Sequence, residues 1–326
     1  MTKLGRTEFK SELKEQWIEG LNNGGNHELL LFVKEISPFK KIKKVELIDI
    51  FHEGFLVSLA EDPTSELNEY FYEYTEQADE PMQTFMRLYS KTIHQNTPDL
   101  KNNRLFRLRN KFMVAPSFMR LRLAYNDTLP QNILPAFIAV FSIGDNLSRA
   151  YTYRRVNTEQ QCVDVDFFLH GKTPTFEWLE QLEIGAEVVS LREKNESVNH
   201  LHEGKVLLCG DETAFPAIAA LLDSWQNPQP PFVLLEMLNP ADYSYFDDCQ
   251  LPEGTEIHAL QVDSPENYGK QVKAFLEERQ DVIDNVWGAF HVEGMKLLKR
   301  FFERKYSITS ANMAVRAYWN VHKKSR

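Results

Sequence analysis

The stretch VLLCGDETAFPAI, residues 206–218, decides how the C-terminal part of the chain folds. Its first four residues are apolar and typical of a buried strand, Gly210 allows a tight turn, and Pro216 is tolerated in the first turn of a helix. Asp211 or Thr213 can cap that helix. The stretch therefore predicts a strand, a tight turn and a helix, with polar side chains at the carboxyl end of the strand, where open α/β sheets bind ligands.

Apolar strands alternate with amphipathic helices from this stretch to the end of the chain. We expect strands over 232–237, 256–262 and 286–290, and helices over 214–225, 265–278 and 294–305. Because these strands are continuously apolar, they predict a parallel sheet that is covered by helices on both faces.

Short β-type runs separated by turn residues precede the stretch. They cover 121–125, 137–141, 150–156, 163–169 and 187–191. Their spacing favours a small antiparallel barrel. The fold class is therefore a multidomain α+β or α/β chain, with an antiparallel barrel over residues 101–200 and a parallel-sheet α/β domain over residues 201–326.

The first hundred residues form a third region that is predicted to be mostly helical. Apolar residues in 81–94 recur at every third or fourth position, which is one face of a helix. Residues 96–103 have the composition of a linker. Four lysines between residues 40 and 44 form a charge run, which indicates either a solvated surface or a contact with a protein partner.

Composition narrows the class of protein. The 326 residues are too many for one ordinary core, and 43% hydrophobic and 26% charged residues are typical of a soluble globular chain. A formal net charge of -10 disfavours broad binding to nucleic acid, because that requires clustered cations against phosphates. It does not exclude a small basic pocket.

The cysteines and the chain start indicate the compartment. Cys162, Cys209 and Cys249 are far apart and form no Cys-x-x-Cys pair, which favours a reducing compartment and argues against a zinc or iron–sulfur site. No apolar run approaches the roughly 20 residues that span a bilayer, and residues 1–14 lack the apolar core of a secretory signal. We therefore expect a cytoplasmic protein without a membrane span.

The segment RAYTYR, residues 149–154, lies on a predicted barrel strand. A flavin dinucleotide needs a cation for its pyrophosphate, a flat ring against its isoalloxazine and a polar group at the ring edge. Arg149 or Arg154 supplies the cation, since guanidinium binds phosphate through paired hydrogen bonds, and Tyr151 and Thr152 supply the other two. Alternatively, the segment is a barrel strand with surface arginines and core tyrosines.

The segment VDVDFFLHG, residues 163–171, follows on the next predicted strand. Asp164 and Asp166 share one face of that strand, and His170 stands where a loop begins. This histidine can donate to a phosphate or to a flavin; alternatively, it caps a turn. Two aspartates and a histidine also suggest a metal, but no matching ligand set occurs elsewhere in the sequence.

Taken together, RAYTYR, DFFLHG followed by Trp178, and GDETAFPAI resemble the siderophore-interacting protein family. The family ends in a Tyr-Trp pair, which Tyr318-Trp319 matches, and the resemblance covers roughly residues 104–322. It implies an FAD-binding barrel followed by an NAD(P)H-binding α/β domain. It also implies an activity, the reduction of ferric siderophores in the cytoplasm with release of Fe(II), since the softer Fe(II) is held less tightly by oxygen ligands.

The resemblance also implies a set of binding residues, without a catalytic side chain or a metal ligand. The FAD set is Arg149, Tyr151, Thr152, Arg154, Asp166 and His170, joined by Lys172, Thr173 and Thr175, which replace the pyrophosphate loop of the family. Asp211, Glu212 and Thr213 line the nicotinamide side. Lys323, Lys324 and Arg326 form a candidate site for an anionic ferric siderophore; alternatively, they belong to a solvated tail.

The leading hypothesis is an FAD-dependent NAD(P)H:ferric-siderophore oxidoreductase that serves iron assimilation. Phe290-His291 stands where the family has Gly-Glu, so the site of the electron donor is altered and ferredoxin is an alternative donor. A third hypothesis is a non-catalytic relative of the family. Such a protein would bind a siderophore, or would bind a protein partner through residues 1–100, without turnover.

Overall fold

The computed structural model describes residues 6–9, 14, 15, 18, 21, 22, 26–61, 67–74, 80–96, 104–126, 129, 133–144 and 147–320. The chain divides into two units, residues 1–99 and residues 100–326. Of the predicted linker at 96–103, only Asn96 is among the described residues, where it ends a helix.

The N-terminal unit is an antiparallel sheet packed against two helices. Its elements are α1 (Asn26–Ile36), β1 (Lys44–Ile50), β2 (Gly54–Ala60), β3 (Asn68–Glu73) and α2 (Pro81–Asn96). The strand order is β1-β2-β3. The core of the unit is aromatic: the ring of Phe55 lies 5.6 Å from Phe32 and 5.0 Å from Phe85 between ring centroids.

The prediction of a mostly helical N-terminal region is incomplete. The helix predicted over 81–94 is confirmed by α2, but the three strands between the helices were not anticipated. β2 is buried along its whole length, so its residues show no alternation. A short apolar run without alternation cannot be told from a buried helical segment by its pattern, and this is why the sheet was missed.

The C-terminal unit begins with the predicted antiparallel barrel, which is confirmed. Its strands are β4 (Arg104–Ala115), β5 (Phe118–Tyr125), β6 (Ile138–Ser142), β7 (Ser148–Asn157), β8 (Cys162–Phe168) and β9 (Glu187–Lys194). They close in the order β4-β5-β8-β7-β6-β9, and α3 (Pro174–Gln181) lies between β8 and β9 in sequence. The RAYTYR segment therefore lies on β7, and the DFFLHG segment spans the end of β8.

The predicted parallel sheet is also confirmed. It is built from β10 (Val206–Gly210), α4 (Phe215–Asp223), β11 (Phe232–Met237), β12 (Glu256–Gln261), α5 (Lys270–Glu277), β13 (Asn285–His291), α6 (Val292–Tyr306) and β14 (Met313–Trp319). The strand order is β12-β11-β10-β13-β14, and every pairing is parallel. β14 was not predicted as a strand.

The helix predicted over 265–278 is shorter than expected. A 3-10 turn covers Pro265–Asn267, and α5 begins only at Lys270. The break is at Gly269, which has φ of 86°, and a Cβ there would lie 2.9 Å from the Cα of Gly294. A residue with a side chain would be strained in this conformation and would collide with the neighbouring helix start, so the interruption requires glycine.

The barrel and the parallel sheet share one hydrophobic core, in addition to a core inside the barrel and another on the opposite face of the sheet. Phe118, which begins β5, stacks on Phe215 of α4 with 5.5 Å between ring centroids, and lies 4.4 Å from the ring of Tyr245. Next to these rings, Arg120 of the barrel forms a buried ion pair with Asp166. We call this contact surface between the barrel and the parallel sheet the seam. It fixes β7 and the end of β8 relative to the carboxyl edge of the sheet, where the predicted site residues lie.

In the part of the chain that the structure describes, no helix combines the length and the apolar character that crossing a membrane requires.

Candidate functional site

The first part of the site forms where β7 meets the start of α3. The Tyr151 hydroxyl on β7 donates to the Thr175 hydroxyl in the first turn of α3, at 3.1 Å, and the Tyr151 ring lies 4.2 Å from that of Phe167. Thr173 caps α3, since its hydroxyl oxygen accepts from the amide of Phe176 at 3.2 Å. The structure thus brings the RAYTYR strand and the start of α3 together, although Tyr151 and Thr175 are 24 positions apart in sequence.

Two exposed cations flank this junction. Arg149 donates to the carbonyl oxygen of Ser148 at 2.8 Å, and Lys172 lies in the loop that leads into α3. Neither forms an ion pair with a carboxylate of the residues that the structure describes. Cations and a helix N-terminus both attract anions, so this donor set fits a pyrophosphate.

The second part of the site links the barrel to the C-terminal strand. The rings of His170 and Trp319 lie nearly parallel, with 6.2 Å between centroids and 28° between planes. The Trp319 indole nitrogen donates to Asp211 at 2.9 Å. The end of β8, the end of β14 and the turn after β10 therefore meet in one place, which joins the DFFLHG and GDETAFPAI segments to the Tyr-Trp pair.

Thr152 lies in the interior between these two parts. Its side chain is buried on β7 and adjoins the hydroxyl of Tyr318 on β14. Burial raises the pKa of Tyr318, and the neighbouring Thr152 hydroxyl moderates that rise. The Tyr318 ring packs edge-on against Trp287, at 6.4 Å. Thr152 therefore lies where the barrel adjoins the C-terminal strand.

Arg154 and Asp166 already have protein partners in the seam between the barrel and the sheet. The Arg154 guanidinium is 1% exposed and donates to Asp223 at 2.5 Å. Asp166 accepts two hydrogen bonds from Arg120, both at 2.7 Å, and a further one from the Tyr245 hydroxyl. A direct contact of either residue with FAD stays a prediction.

Asp211 is enclosed at the carboxyl edge of the sheet. It is 0% exposed and receives hydrogen bonds from Thr213, from the amide of His291 and from Trp319. Burial raises its pKa to about 6, against the lowering effect of these hydrogen bonds.

Glu212 is enclosed beside it. Its carboxylate accepts from the amide of Leu238 at 2.6 Å and from the Tyr268 hydroxyl at 2.5 Å, and burial raises its pKa to about 7. Whether Asp211, Glu212 or Thr213 contacts a nicotinamide stays a prediction.

Sequence reasoning missed a third buried carboxylate, Glu236, near the end of β11. Its side chain accepts from the amides of Gly269 and Val272, the latter at 2.8 Å, and thereby caps α5. Burial raises its pKa to about 7. The signal was available, because a single glutamate interrupts the apolar strand FVLLEM, and a buried charge needs hydrogen-bond donors.

Sequence reasoning also did not assign Tyr268 and His291 to the site. Their rings lie 6.0 and 5.7 Å from that of Trp319. With His170 they surround the indole, and we call these four rings the aromatic wall. His291 was noted only as a departure from the family pattern, yet it is part of this wall.

A cavity of about 1180 Å³ lies elsewhere, between the barrel and the end of α4. Its wall includes Arg122, Arg155 and Trp225, but neither Tyr151 nor His170. Both arginines are paired with carboxylates. Among the described residues, no group of three or more His, Cys, Asp or Glu side chains is placed to hold a metal ion.

Comparison with known proteins agrees with this arrangement. A siderophore-interacting FAD-binding domain matches residues 142–192, and a siderophore-interacting protein domain matches residues 203–322. This chain belongs to the siderophore-interacting protein family. The matched ranges contain the RAYTYR, DFFLHG and GDETAFPAI segments, so the site described above lies within the part of the chain that carries the family likeness.

Individual relatives share this part of the chain. The chain is 24% identical over 216 residues to a ferric acinetobactin reductase of Acinetobacter baumannii, covering 63% of this chain and 73% of that protein. A siderophore-interacting protein structure from the same organism aligns with a TM-score of 0.60 at 20% identity, over 68% of this chain and 92% of that one. A siderophore utilization protein from T. fusca aligns with a TM-score of 0.58 at 19% identity, over 69% and 94%.

Proposed function

We propose that this protein is a flavin-dependent ferric-siderophore reductase, in which electrons pass from NAD(P)H through FAD to an Fe(III)-siderophore and Fe(II) is released. The observation that carries the proposal is the meeting of β7, the start of α3 and Trp319 in one site inside the family-matched ranges. When bound, FAD supplies the exchange between two-electron and one-electron transfer that this reaction needs. The protein supplies binding and orientation.

The pyrophosphate of FAD is held, on this proposal, by exposed groups. Arg149 and Lys172 supply positive charge, and Thr173 and Thr175 supply hydroxyls at the start of α3. We assign Tyr151 to the flavin ring, since it shares a face of β7 with Arg149, and Thr152 to the ring edge through the strand backbone, since its side chain is buried on the other face. His170 lies next to this group, at the edge nearest Trp319.

Arg154 and Asp166 support the flavin site indirectly. Because their partners lie in the seam, they hold β7 and β8 in position against the sheet. The carboxylates of Asp211 and Glu212 are enclosed beside the proposed nicotinamide side, and negative charge there disfavours phosphate at the start of α4. The phosphates of NAD(P)H therefore bind away from this turn.

The substrate is proposed to be an anionic ferric siderophore in the cytoplasm. Lys323, Lys324 and Arg326 are the candidate cations for it and lie outside the described residues. A protein partner of the N-terminal unit also stays a prediction.

The experiment is an anaerobic absorption titration of the purified, FAD-loaded protein. We expect NADH or NADPH to bleach the flavin bands, and a ferric siderophore to restore them while a ferrous-specific chelator gains colour. Bleaching by reduced ferredoxin alone would assign the donor to ferredoxin. Failure to bind FAD at all would favour a non-catalytic siderophore-binding protein and contradict the proposal.

A further inference from the structure

Asp211 collects hydrogen bonds from three separate segments of the sheet edge. One carboxylate oxygen accepts from the amide and the hydroxyl of Thr213, at 3.0 and 2.5 Å. The other accepts from the amide of His291 at 3.0 Å and from the indole nitrogen of Trp319 at 2.9 Å. This single side chain therefore ties the ends of β10, β13 and β14 together.

A carboxylate has about four acceptor positions, and all four are used here. The side chain is also 0% exposed. A direct hydrogen bond from Asp211 to a nicotinamide would require one of these internal bonds to break. The geometry thus leaves Asp211 no free acceptor for a ligand.

Trp319, in contrast, depends on this bond for its orientation. The pairing of β13 with β14 shifts register between Phe290 and His291, so the ladder skips Tyr318 and pairs His291 with Trp319. A bulge of this kind re-aims the side chains that follow it. The indole packs against three rings, His170, His291 and Tyr268, and against an apolar cluster of the sheet. Among the described residues, Asp211 is the acceptor of its N–H, and this bond fixes the direction of the indole.

We propose that Asp211 is a positioning residue, which acts through Trp319 by holding the indole within the aromatic wall and against His170. The step from this role to catalysis rests on the proposed function. The orientation of the indole itself does not depend on it. A tilted indole would disorder the wall between His170 of the barrel and His291 of the sheet, which is where the flavin side and the nicotinamide side adjoin.

The test uses the full chain and follows Trp319 directly. The difference in fluorescence between the wild type and W319F isolates the Trp319 emission from that of the other tryptophans. D211A removes both acceptor oxygens, so the indole nitrogen loses its partner whatever the local rearrangement. The Trp319 emission of this variant, taken as the difference between D211A and D211A/W319F, should be quenched severalfold more strongly by acrylamide. D242A is the matched control: it removes another buried carboxylate, which accepts from the amide of Ser117 at 2.8 Å and makes no contact with the aromatic wall among the described residues, and it should leave the quenching of Trp319 unchanged.

Activity provides the second readout. In the loaded enzyme, D211A and W319F should each lower kcat/KM for NAD(P)H about tenfold, and the double variant should lose no more than the larger single effect. Additive losses, or a Trp319 emission that stays equally shielded in D211A, would overturn the proposal. An inactive wild type with the expected quenching pattern would refute the proposed function and leave the positioning role standing.

Should D211A fail to fold, a measurement on the unmodified protein tests the same hydrogen bond. With ¹⁵N-labelled tryptophan and the resonance assigned through W319F, the indole N–H of Trp319 should exchange with solvent much more slowly than that of a solvated indole. Exchange at the rate of a solvated indole would exclude the bond to Asp211 in solution.

Discussion

Two regions of the site use their polar side chains in opposite ways. At the start of β7 and α3, Arg149 and Lys172 are exposed cations without a carboxylate partner among the described residues. At the carboxyl edge of the sheet, Asp211, Glu212 and Glu236 are enclosed, and their hydrogen bonds go to amides and side chains of the protein itself. The cations of the first region are accessible to a ligand, whereas the carboxylates of the second region hold strand ends and the start of α5 together.

The difference shows that membership of a motif does not determine the role of a residue. Arg149 and Arg154 belong to the same six-residue segment of one strand. One is exposed, and the other is 1% exposed and bonded to Asp223. Whether a polar side chain binds a ligand depends on whether the rest of the fold supplies its partner.

The largest effect that would test this comparison is expected from R154A. Removing the buried guanidinium leaves a cavity in the seam and takes a partner from Asp223, which keeps Arg155 and the amide of Gln250. Breaking a buried ion pair from one side costs about 3–5 kcal/mol. The free energy of unfolding of the protein without FAD, measured by denaturant titration, should fall by about 3 kcal/mol. A loss below about 1 kcal/mol would place Arg154 among the groups that are free to bind a ligand.

The matched variant on the same strand is R149A, and the opposite pattern is expected. Loss of one charge-assisted contact with the pyrophosphate should weaken FAD binding about ten- to hundredfold, while the free energy of unfolding of the unloaded protein stays the same. Calorimetric titration with FAD measures the affinity. R107A, which removes another exposed arginine of the barrel, is the control and should bind FAD like the wild type. Equal affinity in R149A and R107A would show that the exposed cation of β7 does not contact FAD.

The smallest effect concerns the enclosed carboxylates and appears as a pH dependence. Burial raises the pKa of Glu236 from 4.5 to about 7. Between pH 4.5 and pH 7, Glu236 is therefore protonated in the folded protein but ionised in the unfolded chain. Stability from this group is therefore complete at low pH and is lost as the pH rises through 7.

E236Q removes this titration. Between pH 5 and pH 8, the wild type should lose on the order of 1–2 kcal/mol of unfolding free energy relative to E236Q. Denaturant unfolding of both proteins at the two pH values measures it. The contributions of the other titrating groups nearby, among them Asp211, Glu212 and His291, are present in both proteins and cancel in the difference. A constant difference would mean that Glu236 titrates like an exposed carboxyl group.

The sequence was sufficient for the elements whose pattern is local. Turn residues between short β-type runs predicted the barrel, and apolar strands between helices predicted the parallel sheet. β2 was missed because it is buried on both faces, and the break at Gly269 was missed because it depends on a close approach to Gly294. These causes lie in packing, which a single sequence does not display.

For the site, the sequence identified the segments, but not which of their side chains are buried and bonded to other residues. The partners that enclose Asp166 and Arg154 lie far away in sequence: Arg120 is 46, Tyr245 is 79 and Asp223 is 69 positions distant. No spacing rule connects such residues. The assembly of His170, Trp319 and Asp211 likewise requires the strand order of the folded sheet.

The shared core of the barrel and the sheet has a consequence for protein engineering. Exchanging the sheet for that of a relative is an obvious way to change the electron donor. Here the cut would pass through the stack of Phe118 on Phe215 and through the contact of Phe118 with Tyr245. A chimera has to inherit both sides of this seam from one parent, or have them redesigned together. The sequence motifs of the barrel and of the sheet are separate along the chain, but the two domains are packed together and cannot be exchanged independently.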